Sequence, residues 1–480
     1  MTAPSKPEQT HKIQPPRGTR DLYPAEAARR RWLTERWREV SVRHGFEEVD
    51  GPTFEASDLY AVKSGDGILG ELFQAFSGKS PDEVEQVRET GRAPYALRPE
   101  FTPTLARMYA AKAAGLPKPC KWFMAGPFFR AERPQRGRLR EFLQWNVDLI
   151  GGEVGGNLND YDAEVMAVLA SALEAVGLTP EDVRIKVGSR RSIQLAAQRF
   201  GVPKELCGDE LSPALLQLLD DRAKITPAEY ERRAVDLGLP EDFVKYCHPT
   251  DRAVVPMDAT SAQLAHIFDV TIDEGEKLYS EFHEPGSLCE SIHSAGIAHW
   301  CEFDSMIVRG LAYYTSNVFE AIADGERAVA GGGRYDNLIE LFGGPKTPAV
   351  GFAMGDVVLS LLLQDKGLMP SDDELMGLVG QHPDVFVLSN GDEAADAQVR
   401  PTVAALRRGS ESLSGLHVRH SYKATKNVGK LLKEAAQQGA RFAVIIEDAG
   451  SCSVKDTRTN EQWPDKVPLT DLHARIAAAM

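Results

Sequence analysis

Paired cysteines are missing from this sequence. Its six cysteines stand at 120, 207, 247, 289, 301 and 452, with no Cys-x-x-Cys among them. Scattered spacing disfavours both a disulfide framework and a structural metal site. Cys247-His248 is the one adjacent pair of metal-ligating type, and two adjacent side chains cannot close a tetrahedral site. Long apolar runs are missing too: stretches such as Phe442–Ile446 fall far short of the ~20 residues that span a bilayer as a helix. The N-terminus lacks the apolar centre of a secretory signal, so residues 1–14, polar and with prolines, read as a disordered lead-in to a cytoplasmic protein. Nor is there an excess of positive charge. The 55 Lys and Arg against 70 Asp and Glu leave a net charge of −15. That argues weakly against nucleic-acid binding, which needs basic side chains on phosphates, but a basic patch can sit on an acidic protein. No internal repeat and no long low-complexity segment is found.

What is there suits a soluble globular chain. The 480 residues are 42% hydrophobic and 26% charged, enough for about two to four domains. Residues 24–45 predict an amphipathic helix, with Leu33, Trp37 and Val40 at i, i+4, i+7 and Gly45 as terminator. Residues 47–150 read as strand-rich and 155–177 as helix. Residues 195–298 are charged and helical and carry no chemical motif. Strand signals resume at 304–322 and 347–354, followed by an apolar helix at about 356–364. Residues 366–382, with Lys366, Gly367, Pro370 and Ser371-Asp372-Asp373-Glu374, read as a linker. Beyond it, strands at 385–388, 416–420 and 442–447 alternate with helices at 393–408 and 427–438, and a last helix ends the chain. That order implies a small parallel α/β domain. In the helix at 427–438, Val428, Leu431, Leu432 and Ala435 share a face, and Gly439 sits at the C-cap.

The stretch from Phe128 to Gly151 carries the most chemistry. Read as a strand, 142–149 turns Phe142, Gln144, Asn146 and Asp148 one way and Leu143, Trp145, Val147 and Leu149 the other. The polar face either meets solvent on an edge strand or lines a polar pocket. Just before it, Arg130, Arg133, Arg136, Arg138 and Arg140 cluster in a loop. Guanidinium forks match phosphate oxygens bidentately. A solvated charge run is the plain alternative, but the placement between two strands favours a polyphosphate or nucleic-acid site. Gly331-Gly332-Gly333 lacks the Gly-Lys-Ser/Thr ending of a phosphate loop. It reads as a close backbone approach beside the pocket, or as a hairpin turn.

Phe129-Arg130-Ala131-Glu132, followed by Gly137-Arg138 and Glu141-Phe142, resembles motif 2 of the class II aminoacyl-tRNA synthetases. Four further segments narrow the resemblance to the histidyl-tRNA synthetase family. Ala96-Leu97-Arg98-Pro99-Glu100-Phe101-Thr102 resembles its amino-acid-binding segment, and Ile307-Val308-Arg309-Gly310-Leu311-Ala312-Tyr313-Tyr314-Thr315 its arginine-and-tyrosine box. Gly331-Gly332-Gly333-Arg334-Tyr335-Asp336 resembles its second histidine box, and Val49-Asp50-Gly51-Pro52 its motif 1. The resemblance runs from about Pro15 to Ile476 and is weakest over 195–298.

The resemblance implies an α+β catalytic domain with a mixed, mainly antiparallel sheet, a helical insertion, and a C-terminal α/β anticodon-binding-like domain. The implied boundaries are 15–194 and 299–365 for the catalytic domain, 195–298 for the insertion, 366–382 for the linker and 383–480 for the C-terminal domain. The implied reaction joins L-histidine to tRNA(His) through a histidyl-adenylate. ATP with Mg²⁺ is the co-substrate, there is no tightly bound cofactor or resident metal, and motif 1 implies a homodimer. Glu100, Phe101 and Thr102 are implied for the histidine site, with Glu100 and Thr102 resembling the α-ammonium acceptors, and Gln144, Asp148, Tyr313, Tyr314 and Tyr335 resemble the imidazole pocket. Arg130 and Arg309 resemble the catalytic arginines on either side of the α-phosphate, and both also belong to the histidine site. Arg130, Glu132, Arg138, Phe142 and Arg309 are the implied ATP contacts. By position, Gln135 and Arg140 are implied for the tRNA acceptor end. Lys430, with Lys423, Lys426 and Lys433 nearby, is implied for tRNA binding in the C-terminal domain.

Two positions depart from the family pattern. Val358 stands where motif 3 has an arginine that stacks on adenine, and Ala312 stands where an aspartate is usual. The first keeps open an alternative, a non-ligating relative that serves as the regulatory subunit of ATP phosphoribosyltransferase. Arg130, Arg309 and a C-terminal domain count against it. A non-catalytic RNA-binding protein would not require Glu100, Gln144, Asp148 and Arg309 together.

Overall fold

Strand Glu141–Ile150 organises the larger sheet, and its side-chain alternation explains why. The computed structural model describes residues 13–480 except 65–69, 71, 153–155, 209, 223–224, 249–253, 268–270, 283, 285, 305–306, 310–312, 324–327 and 424. The expected lead-in therefore lies largely outside the described residues. Strand Glu141–Ile150 pairs antiparallel with Cys120–Phe129 on one side and with Ala349–Gly355 on the other. It is a central strand, and every residue from Leu143 to Ile150 is buried. Its polar face is thus turned into protein and not toward bulk water.

The apolar face packs on helix Pro24–Arg43, close to the expected helix at 24–45. Trp37 stacks on Trp145 with ring centres 5.9 Å apart, and Phe352 meets Trp145 edge-on at 5.0 Å. The Trp145 indole N–H donates to Ser41 Oγ at 3.1 Å. Each such ring buries roughly 150–250 Å² and dominates the energetics of its layer.

The sheet has nine described strands. Their order is Glu47–Glu48, Cys120–Phe129, Glu141–Ile150, Ala349–Gly355, Ala330–Arg334, Asn317–Ile322, Arg184–Ser189, Cys301–Asp304 and Val254–Pro256. Only Glu47–Glu48 with Cys120–Phe129, and Arg184–Ser189 with Cys301–Asp304, are parallel. This is the mixed, mainly antiparallel sheet expected. A small antiparallel sheet joins Phe54–Ala56, Tyr95–Leu97 and Gln74–Ala75. Helix Leu158–Ala175 opens on Asn157, whose side chain accepts the Asn159 N–H.

Among the described residues, 195–298 is mainly helical, as read, with one short strand at Val254–Pro256. Leu215, Leu219, Tyr230 and Phe243 belong to a separate hydrophobic core there. The strand-rich reading of 47–150 needs correction, because the segment also holds helices Ser57–Ser64, Pro81–Thr90 and Thr102–Lys112. Pro81–Thr90 buries no residue, so it carries no apolar period to read; Ser80 caps it and Pro81 occupies its first turn. The 304–322 signal resolves into Cys301–Asp304 and Asn317–Ile322, with the Arg309 segment between them.

The described residues form two compact units, one of 13–21 with Leu33–Met369 and the other of Leu22–Trp32 with Pro370–Met480. In the second unit the strand order is Val418–His420, Val385–Ser389, Phe442–Ile446, Ser451–Asp456 and Val467–Pro468. The first three are parallel to one another, as expected, but the last two add antiparallel and make the sheet mixed. The expected linker holds helix Asp372–Leu378, begun by a capping box between Ser371 and Glu374. The six cysteines are all free and buried. Burial pushes the Cys247 and Cys289 thiols up to about 11.

Candidate active site

A pocket of about 910 Å³ opens on the polar face of strand Glu141–Ile150, with Phe142, Gln144 and Asn146 in its wall. Asp148, next on that face, is buried behind Tyr335, whose hydroxyl donates to Asp148 Oδ1 at 2.5 Å. Desolvation pushes the Asp148 carboxyl up to about 7, and the Tyr335 bond opposes that shift. Gly351, opposite Asp148 in the register, leaves the space the carboxylate fills: a Cβ there would stand 2.1 Å from Asp148 Oδ1. Gln144 Oε1 and Asn146 Nδ2 are buried without a hydrogen-bond partner. Such orphaned groups cost about 1–3 kcal/mol each unless something binds them.

The opposite wall comes from the turn after strand Tyr95–Leu97. Arg98, almost fully buried, donates to the Pro127 and Gly51 carbonyls at 2.9 Å each. That fixes Pro99 to Thr102 against strand Cys120–Phe129, and Glu100 and Thr102 line the pocket. The Tyr313 hydroxyl donates to Glu100 Oε2 at 3.4 Å. Tyr313 and Tyr314 line the same wall, with ring centres 4.7 Å apart. Phe101 does not line the pocket. It is fully buried in the core with Leu105 and Tyr109, so its side chain anchors the turn and is not placed to touch a ligand.

Three arginines line the pocket. Arg130, at the end of strand Cys120–Phe129, donates to the Pro99 carbonyl at 3.1 Å and lies 5.3 Å from the Phe142 ring centre. Arg309 takes a left-handed backbone with φ 55 and pairs with Glu320 at 2.7 Å. Gly331 leaves room for this guanidinium position, since a Cβ there would stand 1.6 Å from Arg309 Nη1. Arg138 also lines the pocket and is ion-paired with Glu132, which does not. Gln135 and Arg138 close the turn of the arginine-rich loop, and Arg140 donates to the Glu132 carbonyl at 3.2 Å. Gln135 and Arg140 lie outside the pocket lining. Ala312 lies outside the described residues.

Val357 and Val358 line the pocket, so the departure in motif 3 falls inside it. Next to them the buried Asp356 accepts the Leu143 N–H at 2.9 Å and pairs with Arg20 at 2.7 Å. Arg20 comes from the segment whose Gly18 carbonyl accepts the Arg140 N–H at 2.8 Å. Glu320 and Arg20 fall outside the motifs read from the sequence, whereas Asn146 lies on the polar face that the alternation marks. For Glu320 the signal was a lone carboxylate in the apolar strand Asn317–Ile322.

In the C-terminal unit a shallower cleft of about 540 Å³ is lined by Lys423, Lys430 and Lys433 with Glu434. Lys423 pairs with Glu434 at 3.3 Å, whereas Lys426 donates to the Gly391 carbonyl and lies outside the lining.

A family profile described as histidyl-tRNA synthetase matches residues 18–356. The chain is 34% identical to a histidine–tRNA ligase of Thermococcus kodakarensis over 93% of this chain and 94% of the relative. It is 36% identical to a histidine–tRNA ligase of Opitutus terrae over 89% of each chain. A crystal structure of histidyl-tRNA synthetase from Nostoc sp. PCC 7120 superposes with a TM-score of 0.68 at 22% identity, over 98% of this chain and all of that one, which is a likeness of fold.

Proposed function

Because the chain belongs to the histidyl-tRNA synthetase family, we infer that its pocket binds histidine and ATP, forms histidyl-adenylate and passes the histidyl group to tRNA. The observation that carries this reading is the pair of orphaned amide atoms on Gln144 and Asn146, beside the Asp148–Tyr335 pair and below two arginines. A planar side chain that offers both an N–H donor for Gln144 Oε1 and a ring-nitrogen acceptor for Asn146 Nδ2 satisfies that floor. An isostere lacking them leaves buried polar atoms unpaired, which gives strong discrimination.

Glu100 and Thr102 accept from the α-ammonium group. Asp148, Gln144 and Tyr335 take the imidazole, with Tyr313 and Tyr314 closing the wall. The substrate carboxylate attacks the α-phosphorus, the bond to the bridging oxygen breaks and pyrophosphate leaves. The carboxylate is already ionised, so this step needs no strong base. It needs alignment and positive charge, which Arg130 and Arg309 supply from two sides. In the second step the terminal ribose hydroxyl of tRNA attacks the acyl carbon and AMP leaves. Phe142 offers a face for adenine, and Arg138 a charge for the outer phosphates. Mg²⁺ bound with ATP, held largely by phosphate oxygens and one or two carboxylates, would neutralise polyphosphate charge; Glu132 and Glu320 are the carboxylates suited to it.

Gln135 and Arg140 contact the tRNA acceptor end, and Lys430 contacts tRNA from the basic cleft. The division at 195–298 and 366–382 is retained as that of insertion and linker. A homodimer is supported by an exposed aromatic face on the small sheet, where Phe54 and Tyr95 meet edge-on at 5.7 Å and Phe76 is also exposed. No described helix is long and apolar enough to cross a membrane, and a cytoplasmic location is proposed. The regulatory alternative is set aside, because the Thermococcus kodakarensis and Opitutus terrae relatives, matched over 93% and 89% of this chain, are named as ligases.

Histidine-dependent ATP–pyrophosphate exchange, run against the other amino acids, tests the reading. Exchange with histidine alone, followed by charging of tRNA(His), is expected. Absence of exchange at saturating ATP and histidine would overturn it.

A further inference from the structure

The segment carrying Arg309 is anchored in two cores at once. Ile307 packs in the hydrophobic cluster that also holds Tyr314 and Tyr335. Its neighbour Val308, only 1% exposed, belongs instead to the helical core with Leu215, Leu219 and Phe243. Arg190 bridges the two ends of this segment. It follows directly on strand Arg184–Ser189, opens helix Arg190–Arg199 and is 4% exposed.

The Arg190 guanidinium donates to three carbonyls of that one segment. Nε reaches Val308 O at 3.1 Å, Nη1 reaches Tyr314 O at 2.8 Å, and Nη2 reaches the carbonyl of Arg309 itself. The guanidinium also lies 5.6 Å from the Tyr314 ring centre. A guanidinium is a rigid planar fork, so three bonds from one plane fix both ends of the segment relative to each other. Arg309 holds its left-handed φ of 55 between them. A non-glycine residue keeps such a conformation only where its surroundings over-determine it. Arg190 itself does not line the pocket.

We propose that Arg190 is the positioning residue for Arg309, and that the helical module, by seating Val308, is part of the machinery that holds this arginine for adenylate formation. The inference rests on the reading of the pocket given above. It gives the helical module a role in the first chemical step that its sequence, which has no chemical motif, does not advertise. Asp220 of the same module adds a carboxylate whose charge bears on both Arg190 and Arg309.

The test uses the full chain and histidine-dependent pyrophosphate exchange, with active sites counted by the burst of adenylate. Arg190→Gln is expected to lower kcat per active site about 100-fold, while the histidine KM moves less than about threefold. Arg190→Lys, a point charge without the fork, is expected to recover only part of the loss. In an Arg309→Ala background, Arg190→Gln is expected to add nothing, since its effect passes through the missing side chain. A merely structural arginine would lower the melting temperature or the count of active sites and leave kcat per site unchanged, and that result overturns the proposal. Full additivity with Arg309→Ala overturns it equally. Should Arg190→Gln fail to fold, Val308→Ala carries the test, with kcat expected to fall roughly two- to thirty-fold and an unchanged kcat refuting the link. Wild-type exchange is the control: its absence would overturn the functional reading itself, whereas its presence with unaffected variants would overturn this inference alone.

Discussion

Tyr335 donates its hydroxyl to Asp148 across 2.5 Å, and the carboxylate that receives it is buried deeply enough to titrate at about 7. The ordinary value is 3.8. The folded protein therefore holds this proton more tightly than the unfolded chain, and the stability contributed by the group falls as pH rises from about 4 to about 7, then levels off. Binding runs the other way. An imidazole N–H needs the ionised form, whose share rises from about 9% at pH 6 to about 91% at pH 8. Histidine affinity should improve roughly tenfold over that range, beyond the effect of free histidine's own titration. Asp148→Asn should leave only the titration of free histidine, which a pH series of histidine binding would reveal. A steep residual dependence in the variant would remove Asp148 from this role.

Gly331→Ala should displace Arg309, since the added methyl would overlap its guanidinium. A misplacement of about 1 Å at a reacting centre can cost on the order of 100-fold in rate. Pyrophosphate exchange should show that loss in kcat, with little change in the histidine KM. A kcat near the wild-type value would mean that Arg309 contributes little from this position.

Val358→Arg tests the motif 3 departure. A cation–π contact with adenine is worth about 0.5–2 kcal/mol, so the ATP KM should fall roughly two- to thirty-fold. An unchanged or higher KM would mean that the site is already complete, with Arg138 in the same pocket wall and Arg20 on Asp356 the basic groups to examine.

Asp162 is buried and paired with Arg334 at 2.6 Å, with Asn317 donating to it at 2.7 Å. Arg334→Ala leaves that carboxylate without its cation, at a cost of about 3–5 kcal/mol. Urea unfolding should show the loss as a lower midpoint with a similar slope, and a shift below about 1 kcal/mol would mean that the carboxylate finds water or a proton instead.

Phe54→Glu combined with Tyr95→Glu places charge on the exposed aromatic face of the small sheet. The proposed dimer should dissociate to monomer in sedimentation at micromolar concentration. A dimer that persists would locate the interface elsewhere.

Much of the site was legible because its chemistry sits on regular alternation. The sequence 142–149 separates Gln144, Asn146 and Asp148 from Trp145 and Val147 by period two alone, and the structure keeps that division. What could not be read is what depends on partners distant in the chain. Asp356 meets Arg20 across 336 positions, and Arg190 meets the carbonyl of Arg309 across 119. No local pattern announces either contact. The place of Phe101 between Glu100 and Thr102 points to the ligand site, yet successive residues in a turn can point apart, and its ring lies in the core. The helix in the expected linker is hidden in the sequence for a different reason. Ser371 through Glu374 looks like solvated loop, while its spacing is that of a helix start.

The cysteines lend themselves to a use unrelated to ligation. All six thiols are buried and carry no disulfide, and burial holds even Cys120 and Cys452 up at about 12. A thiol is alkylated only as exposed thiolate. Labelling should therefore keep time with opening of the chain: Cys207 and Cys247 for the helical core, Cys120 and Cys301 for the large sheet, and Cys452 for the C-terminal sheet. The protein carries its own set of clocks, one for each region whose order of unfolding is to be followed.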